Sequence, residues 1–152
     1  MASKTRESSL WTWLRGAERD LRPDLRMERV ENAVSCGTPD VDGVLNGRHF
    51  KIELKTVARP ARKSTGLRIK FQPAQPNWLR SWCASGGNAF VLVQVGSGPV
   101  ARRYLVPGKD VDALSVPDLT EEGLLYRAIL WGSHSSAAEV VRTAANYPIK
   151  NP

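Results

Sequence analysis

Residues 37–56 read Gly-Thr-Pro-Asp-Val-Asp-Gly-Val-Leu-Asn-Gly-Arg-His-Phe-Lys-Ile-Glu-Leu-Lys-Thr, and the fold follows from them. Val41 to Leu45 predicts a short strand. Asn46-Gly47 is the strongest hairpin-turn dipeptide in the chain, because a tight two-residue turn needs positive φ at both positions. His49 to Thr56 then predicts the returning strand. Side chains alternate along a strand, so Phe50, Ile52 and Leu54 share one face and Lys51, Glu53 and Lys55 the other. Asp40, at the start of the first strand, and Glu53, inside the second, can meet at one point beside the hairpin. Lys55 lies on the face of Glu53, roughly 6 to 7 Å further along.

The flanking sequence supplies the rest of the architecture. Residues 9–22 predict an amphipathic helix, with Ser8 or Ser9 as N-cap, Trp11, Leu14 and Leu21 at helical spacing and Pro23 beyond its end. Glu18 falls on the apolar stripe, where a carboxylate needs a partner or a metal. Met27 to Val34 alternates like a strand and is closed by the turn at Cys36-Gly37-Thr38-Pro39. Residues 57–70 lack apolar periodicity and predict a mobile basic loop. Pro76 suits the first turn of a helix reaching about Ser85, with Trp78, Leu79 and Trp82 as its apolar side and Gly86-Gly87 at its end. Ala89 to Val95 predicts a central strand buried on both faces, and Val100 to Val106 a fifth strand.

After Pro107 the chain turns acidic, and helices are expected over 121–131 and 136–145. Thr120 is the expected cap of the first, and Ser136 with Glu139 has capping-box spacing at the second. The expected fold is mixed α/β: one domain over 1–152, with an α-β-β-β-α-β-β core over about 9–106 and a helical extension over about 107–152. The tail YPIKNP, residues 147–152, is expected to fray.

Charge points to the partner. The 152 residues include 41% hydrophobic and 24% charged side chains, enough for one packed core, with a formal net charge of +7. The excess is local. Nine basic side chains lie between Arg48 and Arg80, with Glu53 as the sole acid among them. A phosphate backbone is the natural partner of such a window. Two cysteines, Cys36 and Cys83, lie far apart without a CxxC, which gives no support to a zinc site, an iron–sulfur cluster or a disulfide framework. No apolar run approaches the roughly 18 to 20 residues of a membrane span, so an intracellular, cytoplasmic protein is expected. Trp11, Trp78 and Trp82 fit helix core stripes better than base stacking, and His49 and His134 do not suggest a metal pair.

Hydrolysis of a phosphodiester needs a divalent cation, oxygen ligands to hold it, a positive group near the attacking water and a path for an anionic substrate. Pro39-Asp40, followed at hairpin spacing by Glu53-Leu54-Lys55, resembles the PD-(D/E)xK nuclease superfamily. Within it, GTPD, KIELK and Gln75-Pro76-Asn77-Trp78-Leu79 are similar to the GxPD turn, IELK strand and Q-x-x-W-L helix of small phage-type VRR-NUC nucleases. The likeness covers residues 9 to about 106 and implies a restriction-endonuclease-like core.

The resemblance implies that Asp40, Glu53 and the backbone carbonyl of Leu54 bind Mg²⁺ or Mn²⁺, and that Lys55 orients or activates the water and stabilises developing charge. It also implies a further acid on the first helix, for which Glu18 is the candidate, with Glu31 as the alternative and Glu28 weaker. Gln75 is expected to hydrogen-bond the metal-bound water, a ligand carboxylate or the scissile phosphate, with Gln72 as the fallback. Arg59, Arg62, Lys63, Arg68 and Lys70 are expected phosphate contacts, which give affinity without sequence preference.

The function implied is an endonuclease acting on DNA, with branched DNA such as a Holliday junction as a candidate substrate, and a homodimer to make paired cuts. A phage-encoded member would act in the host cell. The competing readings are a non-cleaving DNA-binding module of the same fold, serving packaging or recombination, and an interaction protein working through its acidic extension.

Overall fold

A computed structural model of the chain describes residues 2–31, 37–132 and 136–148, with the backbone alone for residues 2–6. The end of the strand expected over 27–34, Cys36, His134 and residues 149–152 of the tail lie outside the described residues.

The elements are α1 (Ala2–Arg15), α2 (Ala17–Asp20), β1 (Leu25–Arg29), β2 (Val41–Leu45), β3 (Arg48–Val57), α3 (Gln75–Ala84), β4 (Ala89–Val95), β5 (Arg102–Pro107), α4 (Val111–Leu114), α5 (Glu121–Arg127), β6 (Leu130–Gly132) and α6 (Ala137–Asn146). Short 3-10 turns at Gly98–Val100 and Gly108–Asp110 flank β5. The described strands form one sheet in the order β1-β2-β3-β4-β5-β6. Every neighbouring pair is antiparallel except β3 and β4, which run parallel. A parallel pair needs a long crossover, and the basic segment with α3 supplies it.

The β2–β3 hairpin forms as its sequence dictates. Asn46 and Gly47 take φ of 51° and 80°, and the register sets Val41 opposite Ile52 and Leu45 opposite Arg48. Pleat alternation then builds two cores, one on each face of the sheet. Phe50, Ile52 and Leu54 join Phe90 and Leu92 under Leu10 and Leu14 of α1 and Val140, Val141 and Ala144 of α6. On the opposite face Val91, Val93 and Val95 pack with Leu79 of α3, Val111, Leu114 and Leu124. Burial on both sides explains the unbroken apolar run of β4.

The structure departs from the expected elements in several places. β1 begins at Leu25 and ends at Arg29, and Tyr147, at the head of the tail, packs edge-on against Phe90. The first helix starts upstream of Ser8 and stops at Arg15; Gly16 separates it from the single turn of α2. The 57–70 segment is anchored: Leu67 and Ile69 are buried in the second core, and the Leu67 N–H donates to the Leu119 carbonyl at 2.8 Å. The helix expected over 121–131 ends at Arg127, and Leu130–Gly132 adds a sixth strand antiparallel to β5. The single helical turn α4 was not expected at all. Residues after Pro107 therefore extend the sheet and, through α6, complete the first core. The two expected caps hold, with Thr120 Oγ1 accepting from Gly123 N at 3.1 Å and Ser136 Oγ from Glu139 N at 3.1 Å.

Candidate active site

Extending the β2–β3 register by one residue sets Asp40 opposite Glu53, and Asp40 Oδ2 accepts the N–H of Leu54 at 2.8 Å. That bond fixes the first carboxylate against the strand that carries the second. Gly37 explains the turn before it. Its φ is +93°, and a Cβ there would lie 2.7 Å from the carbonyl oxygen of Ala74, the residue before α3. Glycine is needed on both counts, and the contact seats the GTPD turn against the start of the Gln75 helix.

Gln75, the first residue of α3, closes the arrangement. Its Nε2 donates to Glu53 Oε1 at 2.6 Å, and its Oε1 accepts from Lys55 Nζ at 2.9 Å and from the Gln72 N–H at 2.8 Å. Lys55 Nζ also lies 3.4 Å from Glu53 Oε1 and 4.8 Å from the centre of the Phe71 ring. Of the contacts expected for Gln75, the structure displays the one to a carboxylate. Gln72 contributes its backbone, and its side chain is exposed.

Glu53 is 2% exposed, and its Oε2 has no hydrogen-bond partner. Burial, and then the neighbouring Asp40 carboxylate, push its pKa up to about 8 against the opposing pull of Lys55. A buried carboxylate oxygen without a partner, beside a second carboxylate, is the donor chemistry of a hard divalent cation. Asp40 and Glu53 fit such an ion, with the Leu54 carbonyl as the further oxygen proposed from sequence. Among the described residues no group of three or more His, Cys, Asp or Glu side chains is placed to hold a metal. Two carboxylates suffice for Mg²⁺, which commonly retains several waters and binds substrate phosphate oxygens.

The acid that the first helix brings toward this centre is Glu7, not Glu18. Burial and the charge of Asp40 raise the pKa of Glu7, while Lys55 and Arg29 act in the opposite sense. Glu18 lies on α2, where its Oε1 accepts the N–H of Met27 at 3.2 Å and so serves the start of β1. Glu31 is exposed beyond β1, and Glu28 pairs with Arg26 at 3.0 Å. The sequence held a signal for Glu7: it precedes Leu10 by three residues and Leu14 by seven, on the stripe that those leucines bury. A cap at Ser8 or Ser9 leaves Glu7 outside the helix, whereas α1 begins upstream of it.

The basic segment divides in two. Arg62, Lys63, Arg68 and Lys70 are exposed, and the alternation with buried Leu67 and Ile69 turns Arg68 and Lys70 outward. Arg59 is exposed but engaged by other parts of the chain. It pairs with Glu121 through Nε at 2.8 Å and Nη2 at 3.1 Å, and donates to the carbonyls of Val100 at 2.7 Å and Val95 at 3.3 Å. These contacts engage the Arg59 guanidinium within the chain. Arg80, at the end of the basic window, pairs with Asp112 of α4.

A mixed sheet with helices on both faces, built around a hairpin that presents Asp40, Glu53 and Lys55 together, defines a restriction-endonuclease-like α/β fold. Among solved structures, the chain is similar to Hjc, a Holliday junction resolvase from the archaeal hyperthermophile Archaeoglobus fulgidus. The two share 20% sequence identity, with a TM-score of 0.50, over 85% of this chain and 97% of that one. No family model matches the chain, and no curated protein does. Among the described residues, no helix is long and apolar enough to cross a membrane.

Proposed function

We propose that this protein is a divalent-metal-dependent DNA endonuclease of the PD-(D/E)xK type, akin to small VRR-NUC nucleases, with branched DNA as its substrate. The observation that carries the reading is the buried, partnerless Oε2 of Glu53, on a carboxylate beside Asp40 whose other oxygen is held by Lys55 and Gln75.

Asp40, Glu53 and the Leu54 carbonyl would hold Mg²⁺ or Mn²⁺, which when bound supplies Lewis-acid polarisation of the phosphate and a more acidic water. The protein's own groups do the rest. Lys55 presents an ammonium group, desolvated and aimed by Glu53 and Gln75, that orients the attacking water and offsets negative charge as the phosphorus becomes five-coordinate. Gln75 holds acid and base in one geometry, and Glu7 takes the place expected of Glu18. Attack by water on phosphorus breaks the bond to the 3′-oxygen, leaving a 5′-phosphate and a 3′-hydroxyl. Arg62, Lys63, Arg68 and Lys70 hold the backbone during the cut. Resolving a four-way junction takes two symmetric cuts, and a homodimer supplies them.

The test is incubation of a labelled four-way junction and of plasmid DNA with Mg²⁺, Mn²⁺ or EDTA, beside Lys55→Ala. Cleavage that needs the cation and is lost in the variant is expected. Cleavage surviving both EDTA and the substitution overturns the mechanism, and cation-independent binding without any cutting favours a non-cleaving DNA-binding module.

A further inference from the structure

The face of β3 that carries Glu53 and Lys55 continues to Lys51, and α3 follows it. Gln75 begins that helix over Lys55 and Glu53, and the helix then brings Trp78 and Trp82 over Lys51. The two indoles stack with ring centroids 4.7 Å apart and planes 15° apart. Lys51 Nζ lies 5.2 Å from the Trp82 ring centre and 5.9 Å from that of Trp78, and Asp42 holds the same ammonium at 3.4 Å. Leu79 supplies the core contact of the helix and is fully buried, whereas Trp82 is 41% exposed. The core role expected for Trp82 is not what the structure shows: Trp78 packs against the second core, whereas Trp82 belongs to neither.

Trp82 borders a cleft of about 750 Å³ whose wall includes Lys51, His49, Arg48 and Gly87. A Cβ at Gly87 would fall 2.3 Å from the pyrrole atoms of Trp82, so the glycine leaves the indole its place. Asp42 is the acid on this wall, and it is already paired with Lys51. An open aromatic surface ringed by cations, on the face of the candidate reaction centre, matches a nucleobase with its flanking phosphates. Bases stack on aromatic side chains without regard to sequence, and basic groups follow the backbone.

We infer that Trp82, backed by Trp78 and flanked by Lys51, is a stacking platform for an unpaired nucleobase of the DNA strand lying beside the reaction centre. The inference rests on the proposal that DNA is the substrate, and it adds a reason for a preference for DNA with interrupted pairing: a base within a continuous duplex is already stacked on its neighbours.

The experiment measures binding of the full chain in EDTA at fixed salt to two labelled strands of equal length, one carrying bases and one wholly abasic. Both have the same phosphates. The wild-type protein is expected to bind the base-bearing strand about tenfold more tightly. Trp82→Ala should reduce that preference to less than about twofold, and Trp82→Phe should retain most of it. Equal affinity of the wild-type protein for both strands, or a preference that Trp82→Ala leaves intact, overturns the platform. The wild-type comparison does not depend on whether a variant folds. Cation-dependent cleavage of the junction is scored separately: cutting without a base preference removes the platform and leaves the nuclease, and a base preference without cutting does the reverse.

Discussion

Arg59 grips Glu121 at two points, with Nε on one carboxylate oxygen and Nη2 on the other, and the Tyr104 hydroxyl donates to that second oxygen at 2.5 Å. The pair joins the start of the basic crossover to the cap of α5, and Leu67 repeats the connection through Leu119. Segments on either side of Pro107 are thereby held as one surface.

Removing that grip should loosen the crossover and lower stability. Arg59→Ala leaves Glu121 half-buried with a single donor, at a cost of about 1 to 3 kcal/mol. Burial alone would raise the Glu121 pKa, but the hydrogen bonds from Arg59 and Tyr104 outweigh it and leave it lowered. Its stabilising contribution is therefore present above the ordinary carboxylate range and lost as pH falls through the lowered value. Thermal unfolding of wild type and Arg59→Ala between neutral and acid pH should show the two melting temperatures converging at the acid end.

Glu53 carries the opposite sign. With its pKa raised to about 8, the cation-free protein is favoured while the carboxyl keeps its proton and loses stability as pH rises from about 4.5 through about 8. In EDTA, the melting temperature should fall over that interval for wild type and stay nearly level for Glu53→Gln. Added Mg²⁺ should restore wild type and leave the variant unmoved. A level wild-type profile would show that the carboxylate is not held against ionisation.

Glu7 and Glu18 separate by measurement. Glu7→Gln should lower cleavage by roughly tenfold or more with the fold intact, because it removes charge near Asp40 and Lys55 without a core contact. Glu18→Ala removes the acceptor of the Met27 N–H and should cost about 1 kcal/mol of stability with cleavage little changed. A junction assay beside thermal melts decides between them, and the reverse pattern would restore Glu18 to the site.

The outward side chains of the crossover should govern salt dependence. Changing Arg62, Lys63, Arg68 and Lys70 together to Ala should weaken duplex binding and flatten the plot of log affinity against log salt by up to about 0.9 for each phosphate that is no longer neutralised. Arg59→Ala should flatten it much less, since Arg59 is spent on Glu121. Titrations at several salt concentrations read both slopes.

The hairpin, the order of the core elements and the Gln75 helix were legible because each has a local signature: Asn46-Gly47 for the turn, alternation for β3, Pro76 and Gly86-Gly87 for the limits of α3. What escaped was long-range. Leu67 and Ile69 are two apolar residues in a basic, Pro- and Gly-containing segment, too few for periodicity, and they are ordered by Leu119 and Leu124 some 50 residues on. Leu130 and Trp131 form a strand because β5 offers them an open edge; alone they read as the end of a helix. At the candidate site, Asp40, Glu53 and Lys55 could be placed together from hairpin spacing, and Gln75 was added by the nuclease resemblance. Glu7 was hidden by two serines that look like a cap. For Arg59, charge alone does not show which cation an acid 62 residues away will claim.

The six strands lie side by side in the order in which the ribosome makes them. Each new strand can add to an edge already present, so no earlier pair has to open to admit a later one. Asp40, Glu53, Lys55 and Gln75 all lie within the first half of the chain, on the antiparallel β2–β3 hairpin and at the start of the helix that crosses over to β4. The side chains of the candidate site are thus all synthesised before Glu121, which fastens the surface beside them.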